Sequence, residues 1–194
     1  MAVLASQLCS SGVAALRDLE YSHVVSLVGY WYDGGADFRA LAVNPAALPD
    51  REVMTARFHA AIRTGDPSQS KMGYAVTLND ALIGYTLLNQ YSPASNYSHW
   101  HIIEKTLRKL GISSLLYPHR LDVYFRTSNI RRLVHQTHVS NLGVNRMLDK
   151  YVPVAETKWL DRPDGLGSPG KYHLRYVTND DVADFLTRAQ TGTR

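Results

Sequence analysis

"KTLRKLGISSLLY", residues 105–117, sets Arg108 and Lys109, a glycine and two serines ahead of an apolar run. Three readings fit those residue types. The stretch opens an amphipathic helix, lays a basic patch on nucleic acid, or forms a turn whose main-chain N–H groups hold a phosphate. Its flanks bear on the choice. Upstream, "NYSHWHII" (residues 96–103) alternates as a strand does, and downstream the apolar spacing is helical to about Phe125. At a strand-to-helix junction, successive N–H groups converge on an anion and the helix dipole adds to the attraction. Gly111 lets the backbone approach a ligand closely because it has no Cβ. Arg108 and Lys109 bring positive charge to the mouth. The pattern lacks the glycine density and the Lys-Ser/Thr ending of a nucleotide P-loop, so alone it is a weak signal.

The rest of the chain sets the bounds. Its 194 residues predict one domain with a substantial core, and 45% hydrophobic with 20% charged residues argues against general disorder. No apolar stretch approaches the length of a membrane span. The opening "MAVLASQLCSSG" has no basic n-region or long apolar core, so the expectation is a cytoplasmic protein rather than a secreted one. Cys9 is the only cysteine, which excludes an internal disulfide and fits a reducing compartment; no local motif supports it as a nucleophile. The net charge of +4 is uneven, because residues 101–150 hold nine Lys/Arg against three Asp/Glu. An anionic partner near that segment, nucleic acid or a phosphorylated cofactor, is one reading; a solvated basic face is the other.

Along the chain, "VAALRDL" (residues 13–19) is expected to be a first strand and residues 21–32 a helix ended by "DGGAD". "LPDREVMTARFHAAI" predicts a helix from Asp50 to Ile62, and residues 64–70 a loop. "KMGYAVTL" and "ALIGYTLLNQY" read as strands joined by an Asn79-Asp80 hairpin turn. A strand over 96–103, the opening stretch and its helix, a strand over 131–139 and a helix over 141–151 follow. Two last strands flank "DRPDGLGSPG", and "NDDVADFLTRAQ" closes the chain as a helix before a frayed "TGTR" tail (residues 191–194). The order β-α-α-β-β-β-α-β-α-β-β-α predicts an α+β fold with a mixed, mostly antiparallel sheet.

"Arg108-Lys109-Leu110-Gly111-Ile112-Ser113" resembles the Gln/Arg-x-x-Gly-x-Gly/Ala motif of the GNAT acyltransferase superfamily. Downstream, residues 134–141 and a helix containing Lys150 resemble that family's fifth strand, terminal Asn and fourth helix. The resemblance implies a GNAT-like fold over residues 1–190 and an acyl-CoA co-substrate, acetyl-CoA first among them. It further implies that Ile103, Arg108, Lys109, Leu110, Gly111, Ile112 and Ser113 bind the cofactor, with its pyrophosphate on main-chain N–H groups. Asn141 would support the pantetheine arm; otherwise it is a helix N-cap. Two features depart from the family. Pro118 sits in the third helix and is expected to kink it or delay its start. Leu148 stands where a tyrosine often protonates the leaving thiolate, leaving Tyr117, Tyr124 or Tyr151 to substitute.

Transfer of an acyl group to an amine needs a polarised carbonyl, a neutral amine and attack geometry. In "Tyr97-Ser98-His99-Trp100-His101", residues 97, 99 and 101 share one strand face, with Trp100 on the other. His99 matches one member of the histidine pair that arylalkylamine N-acetyltransferases use for proton removal, and Tyr97 replaces the other. His99, His101 and Tyr97 are therefore the catalytic candidates, an unperturbed imidazole pKa of about 6.5 suiting a base. The bland alternative is that these side chains fill a half-buried sheet face. Glu104 reads as a solvated carboxylate. His99/His101 and His135/His138 have no third ligand in view, so no metal is expected. "GYWYD" (residues 29–33) and "NQYSPASNY" (residues 89–97) are aromatic enough to line an acceptor cleft or to pack a core. The reading is an N-acyltransferase acting on a small primary amine, with no membrane partner, nucleic acid disfavoured and a homodimer left open. A protein amine acceptor, a coenzyme A binder without turnover, and a basic nucleic-acid-binding domain are the alternatives.

Overall fold

The computed structural model describes residues 2–62, 71–92, 95–128, 130–163 and 165–191. It begins with a hairpin of β1 (Val3–Cys9) and β2 (Gly12–Asp18). Helices α1 (Tyr21–Tyr32), α2 (Phe38–Leu41) and α3 (Arg51–Ala61) follow, with a 3-10 turn at Pro45–Ala47 between the last two. Strands β3 (Lys71–Leu78), β4 (Ala81–Ser92) and β5 (Ser95–Ile102) form a meander. Then come α4 (Ile112–Thr127), β6 (Arg132–His138), α5 (Leu142–Leu148), β7 (Glu156–Leu160), β8 (Gly170–Thr178) and α6 (Asn179–Thr191). The eight strands hydrogen-bond in the order β1-β2-β3-β4-β5-β6-β8-β7, and every pairing is antiparallel except β5–β6.

Period-2 alternation gives this sheet two apolar faces. On β3, Met72, Tyr74 and Val76 pack with α4 and α6, while Ala75 points into the cluster formed by α1 and α3. Leu27, Trp31, Met54 and Phe58 fill the second side, and Leu116, Tyr117, Leu121 and Phe185 the first. The expected mixed sheet flanked by helices is the observed one. The turn at Asn79-Asp80 holds too, with both residues at positive φ as a tight hairpin demands.

Three expectations need correction. The chain has a strand, β1, ahead of the expected first one. It is an edge strand with Val3 and Leu8 exposed and a register shift between Val3 and Ala5, so its alternation is broken. The small α2 was also not expected; Asp37 caps it by accepting from the Ala40 N–H at 3.0 Å. Finally, of the two outcomes expected at Pro118, a kink or a delayed start, the delayed start is the one overturned, since α4 begins at Ile112 and runs past the proline. Proline lacks the N–H that would bond the carbonyl four residues earlier, which belongs to Ser114. The Tyr151 hydroxyl donates to that carbonyl at 3.0 Å and supplies the missing partner. Thr191, expected in the tail, closes α6; the rest of the tail and the loop over 64–70 lie outside the described residues.

Candidate active site

Strands β5 and β6 pair only where Ser95, Asn96 and Tyr97 face Arg132, Leu133 and Val134. Beyond Tyr97 and Val134 they part, because β5 stays with β4 and β6 with β8. The opening belongs to a cavity of about 1110 Å³ that reaches from α1 and α3 on one side to α4 and α5 on the other.

Along it lies the turn from Leu107 to Ser114. Lys109 and Gly111 both adopt left-handed backbone, at φ 72° and 80°. That geometry costs a non-glycine residue such as Lys109 energy, so something in the local turn holds it there. Leu115 N–H is the first in α4 to find its partner, the Gly111 carbonyl at 2.9 Å. The N–H groups of residues 109–114 have no hydrogen-bond partner among the described residues. Alternating left-handed residues with free N–H groups form an anion-binding concavity, here at the positive end of a helix of 16 residues. A Cβ built on Gly111 would meet no atom within 4 Å, so the space above the turn is open.

The side chains around this cradle are placed differently from the sequence expectation. Arg108 turns back toward the strand, donating to the carbonyls of Ile102 at 2.9 Å, Gly35 at 3.2 Å and Ile103 at 3.3 Å. Ile103 spends its N–H on the Ile83 carbonyl at 2.9 Å. The Ser113 hydroxyl accepts from the Trp100 indole at 2.6 Å, leaving its main-chain N–H to the cradle. Lys109 and Leu110 are exposed, and Ile112 is buried in the core beneath. Asn141 caps α5, accepting from the Val144 N–H at 3.4 Å, and also lines the cavity.

Tyr97, His99 and His101 project into the same cavity from β5, toward α1 and the β7–β8 loop. The Tyr97 and His99 rings meet edge-on at 4.8 Å, and the two histidine rings stack at 6.3 Å. His101 lies among aromatic rings, 5.0 Å from Trp31 and 5.1 Å from Tyr85, with the Tyr30 hydroxyl 3.3 Å from its Nδ1. Trp31 donates to the Tyr85 hydroxyl at 2.9 Å and stacks on Phe38. A Cβ on Gly165 would come within 3.1 Å of His99, which is how closely the β7–β8 loop covers it. That loop is tied to the segment after α2, through Asn44 N–H to Leu166 O at 2.8 Å and Ser168 N–H to Ala42 O at 2.9 Å.

Burial lowers His99 to about 4 and His101 to about 3, with His99 and Arg108 adding to the second effect. The pKa of about 6.5 assumed from sequence does not survive the aromatic surroundings. Both rings are neutral at pH 7. Burial also raises Tyr30 to about 12, so its hydroxyl keeps its proton.

None of the three substitute tyrosines is idle. Tyr151 serves Ser114, the buried Tyr117 hydroxyl meets His135 Nε2 at 2.9 Å, and Tyr124 hydrogen-bonds Thr86. Leu148 is buried in the core and lines the cavity. Among the described residues no group of three or more His, Cys, Asp or Glu gathers as a metal site would need.

Sequence reasoning missed Tyr30 as the partner of His101, the cover supplied by residues 165–167, and Arg120. The aromatic density of "GYWYD" was the signal for the first. The turn-rich "DRPDGLGSPG" hinted at the second only as a loop. Arg120 gave none, since an arginine within a helical pattern reads as solvated.

The turn of free N–H groups thus lies at the opening between two parted parallel strands, beside an aromatic chamber. No protein-family model and no curated protein matches the sequence. Solved structures do match in fold. RimJ from Mycobacterium smegmatis, bound to a CoA disulfide, has a TM-score of 0.74 at 12% identity, covering 96% of this chain and 93% of that one. The ribosomal alpha-N-protein acetyltransferase RimL, bound to coenzyme A, gives 0.68 at 17% identity, covering 90% and 98%. An acetyltransferase of the GNAT family from Streptococcus pneumoniae gives 0.65 at 13% identity, covering 85% and 99%. The chain has the GNAT fold.

Proposed function

We propose that the protein is an acyl-CoA-dependent N-acyltransferase acting on a primary amine. The observation that carries this is the run of six unpartnered N–H groups over residues 109–114, opening onto the gap between β5 and β6. Two of the similar structures hold coenzyme A or its disulfide, which supports the same occupant here. In this reading the pyrophosphate rests on the cradle, and the pantetheine arm enters the gap past Asn141.

The amine approaches from the aromatic side. Its nitrogen lone pair attacks the thioester carbonyl, the C–S bond breaks, and the thiolate takes a proton from water, because Leu148 supplies none. The amine's proton passes to His99 or His101, directly or through water. For His101 this requires the tautomer in which Nδ1–H donates to the Tyr30 oxygen and Nε2 accepts. With pKa values of about 4 and 3 these are weak bases, so orientation contributes more than proton abstraction.

A small amine suits the cleft better than a protein terminus, because residues 42–44 and 166–168 are hydrogen-bonded across its acceptor side. The nucleic-acid reading loses ground. Arg108 is turned inward, Arg120 is buried, and Arg126 pairs with Asp122 at 2.8 Å. The test is release of free thiol from acetyl-CoA with a panel of small amines, peptides with free N-termini and no acceptor. Turnover confined to small amines supports the proposal; peptide-only turnover moves the acceptor to proteins, and no release above the acceptor-free rate rejects it.

A further inference from the structure

Among the described residues, two arginines are buried to within a few per cent of completely: Arg120 at 3% exposure and Arg175 at 1%. Their surroundings differ. Arg175 donates to Asp149 at 2.5 Å, to Asn145 at 3.0 Å and to Thr137 at 3.1 Å, so its charge is neutralised within the fold. The Nε of each is buried without a partner, but Arg120 has no hydrogen bond from its terminal nitrogens and no ion pair among the described residues. Its guanidinium lies over the rings of Trp100, Tyr117 and Tyr124, at 4.7, 5.2 and 5.8 Å. Aromatic faces attract the guanidinium through its plane, but its five N–H donors lie in that plane and need acceptors at the edge. A guanidinium keeps its charge on burial, so the missing counter-charge must come from elsewhere.

Position indicates where. Arg120 lines the large cavity, and it sits eight residues into α4 after Ile112, about 12 Å along the helix from the cradle. Trp100 of β5 lies over it, and Tyr117 beside it bonds His135 of β6. Arg120 is therefore beneath the place where the two strands part. An acyl-CoA held by its pyrophosphate at the cradle and extended along the gap brings its acyl end to this point.

We propose that Arg120 receives the carboxylate of an acyl chain that ends in one, so that the preferred donors are monothioesters of dicarboxylic acids such as succinyl-CoA. The inference rests on the acyltransferase reading and names its donor class. The planar fork of an arginine matches the two oxygens of a carboxylate, whereas a leaving thiolate offers one soft atom. Bond changes are those of amide formation. The amine nitrogen forms the C–N bond, the C–S pair leaves on sulfur, the amine proton goes to the base, and the thiolate is protonated by water. The terminal carboxylate passes through unchanged.

The experiment measures kcat/KM for succinyl-CoA and butyryl-CoA, which share a four-carbon acyl chain, with one accepted amine, and their Kd values by calorimetry. Wild type is expected to prefer succinyl-CoA by at least about tenfold, or ~1.4 kcal/mol. Arg120→Met should abolish that preference, and Arg120→Lys should keep part of it. Because Arg120→Met removes an unpartnered buried charge, its Tm without ligand should equal or exceed that of wild type. Equal constants for the two donors in wild type overturn the proposal without any variant. A uniform fall in kcat for every donor in Arg120→Met would move the residue to the leaving thiolate and overturn it as well. Turnover of acetyl-CoA without a preference for succinyl-CoA refutes this inference alone. Failure of every donor, with no binding of coenzyme A, refutes the acyltransferase reading beneath it.

Discussion

Replacing Gly111 with valine separates the cradle's role in folding from its role in binding. At φ 80° a β-branched residue is strained, yet a Cβ there meets no protein atom within 4 Å. The folding penalty is therefore conformational alone, about 1–2 kcal/mol. For a domain of this size, that lowers Tm by roughly 2–8 °C. The binding penalty has another origin. The added methyl groups stand in the open space above the turn, and relief of the strain turns the following N–H groups away from a common point. Losing one hydrogen bond to a charged phosphate oxygen is worth about 1.5–3 kcal/mol. Kd for acetyl-CoA should then rise by roughly 10- to 150-fold. Isothermal calorimetry on the folded variant, with its Tm measured alongside, reads both numbers. A folded Gly111→Val protein with wild-type affinity would refute the placement of pyrophosphate on residues 109–114.

Four more outcomes follow from the same geometry. His99→Ala and His101→Ala should each lower kcat/KM, by roughly 10²–10⁴ if the residue is the base, with the loss shrinking as pH rises and free amine accumulates; overlapping pH–rate profiles for wild type and both variants would leave the histidines as packing. The wild-type profile should follow amine ionisation and show no inflection near 6.5, because His99 and His101 titrate at about 4 and about 3; an enzyme inflection at 6–7, seen with amines of different pKa, would contradict that. The same shifts predict acid lability. The unfolded chain protonates these histidines below about 6.5 and the folded one does not, so stability is full above that pH. It falls by up to about 1.4 kcal/mol per pH unit for each as pH drops toward the folded values, and a flat Tm between pH 6.5 and 4.5 would count against their burial. Tyr151→Phe should cost about 1–3 kcal/mol by orphaning the Ser114 carbonyl; combined with Pro118→Ala, which restores the helical N–H, most of that loss should disappear, and additive losses would exclude the coupling.

What the sequence made legible was whatever rests on local periodicity and turn chemistry. The meander over β3–β5, the Asn79-Asp80 hairpin and the strand-to-helix junction at Gly111 are all set by residues within a few positions of one another. Tyr97, His99 and His101 shared a face as a period of two requires. Their protonation was not legible, because it depends on Tyr30, Trp31 and Tyr85 packing around His101 from distant segments. Pro118 was read correctly as a defect, but its repair comes from Tyr151, 33 positions away. Arg108 looked like a phosphate ligand by charge and position, and only the fold shows it tying the end of β5 to Gly35. Edge strand β1, with its broken alternation and exposed Leu8, carried too little pattern to be seen.

On the proposed reading, an acyl-CoA binds by its pyrophosphate at the turn over residues 109–114 and extends between β5 and β6. Calorimetric titration of the protein with acetyl-CoA, and separately with 3′-dephospho-CoA and pantetheine, tests it most directly. Saturable one-to-one binding of the first two, with pantetheine weaker by at least about tenfold, or ~1.4 kcal/mol, is the result the cradle predicts. No heat of binding with acetyl-CoA at millimolar concentration, or equal affinity for pantetheine, would contradict it.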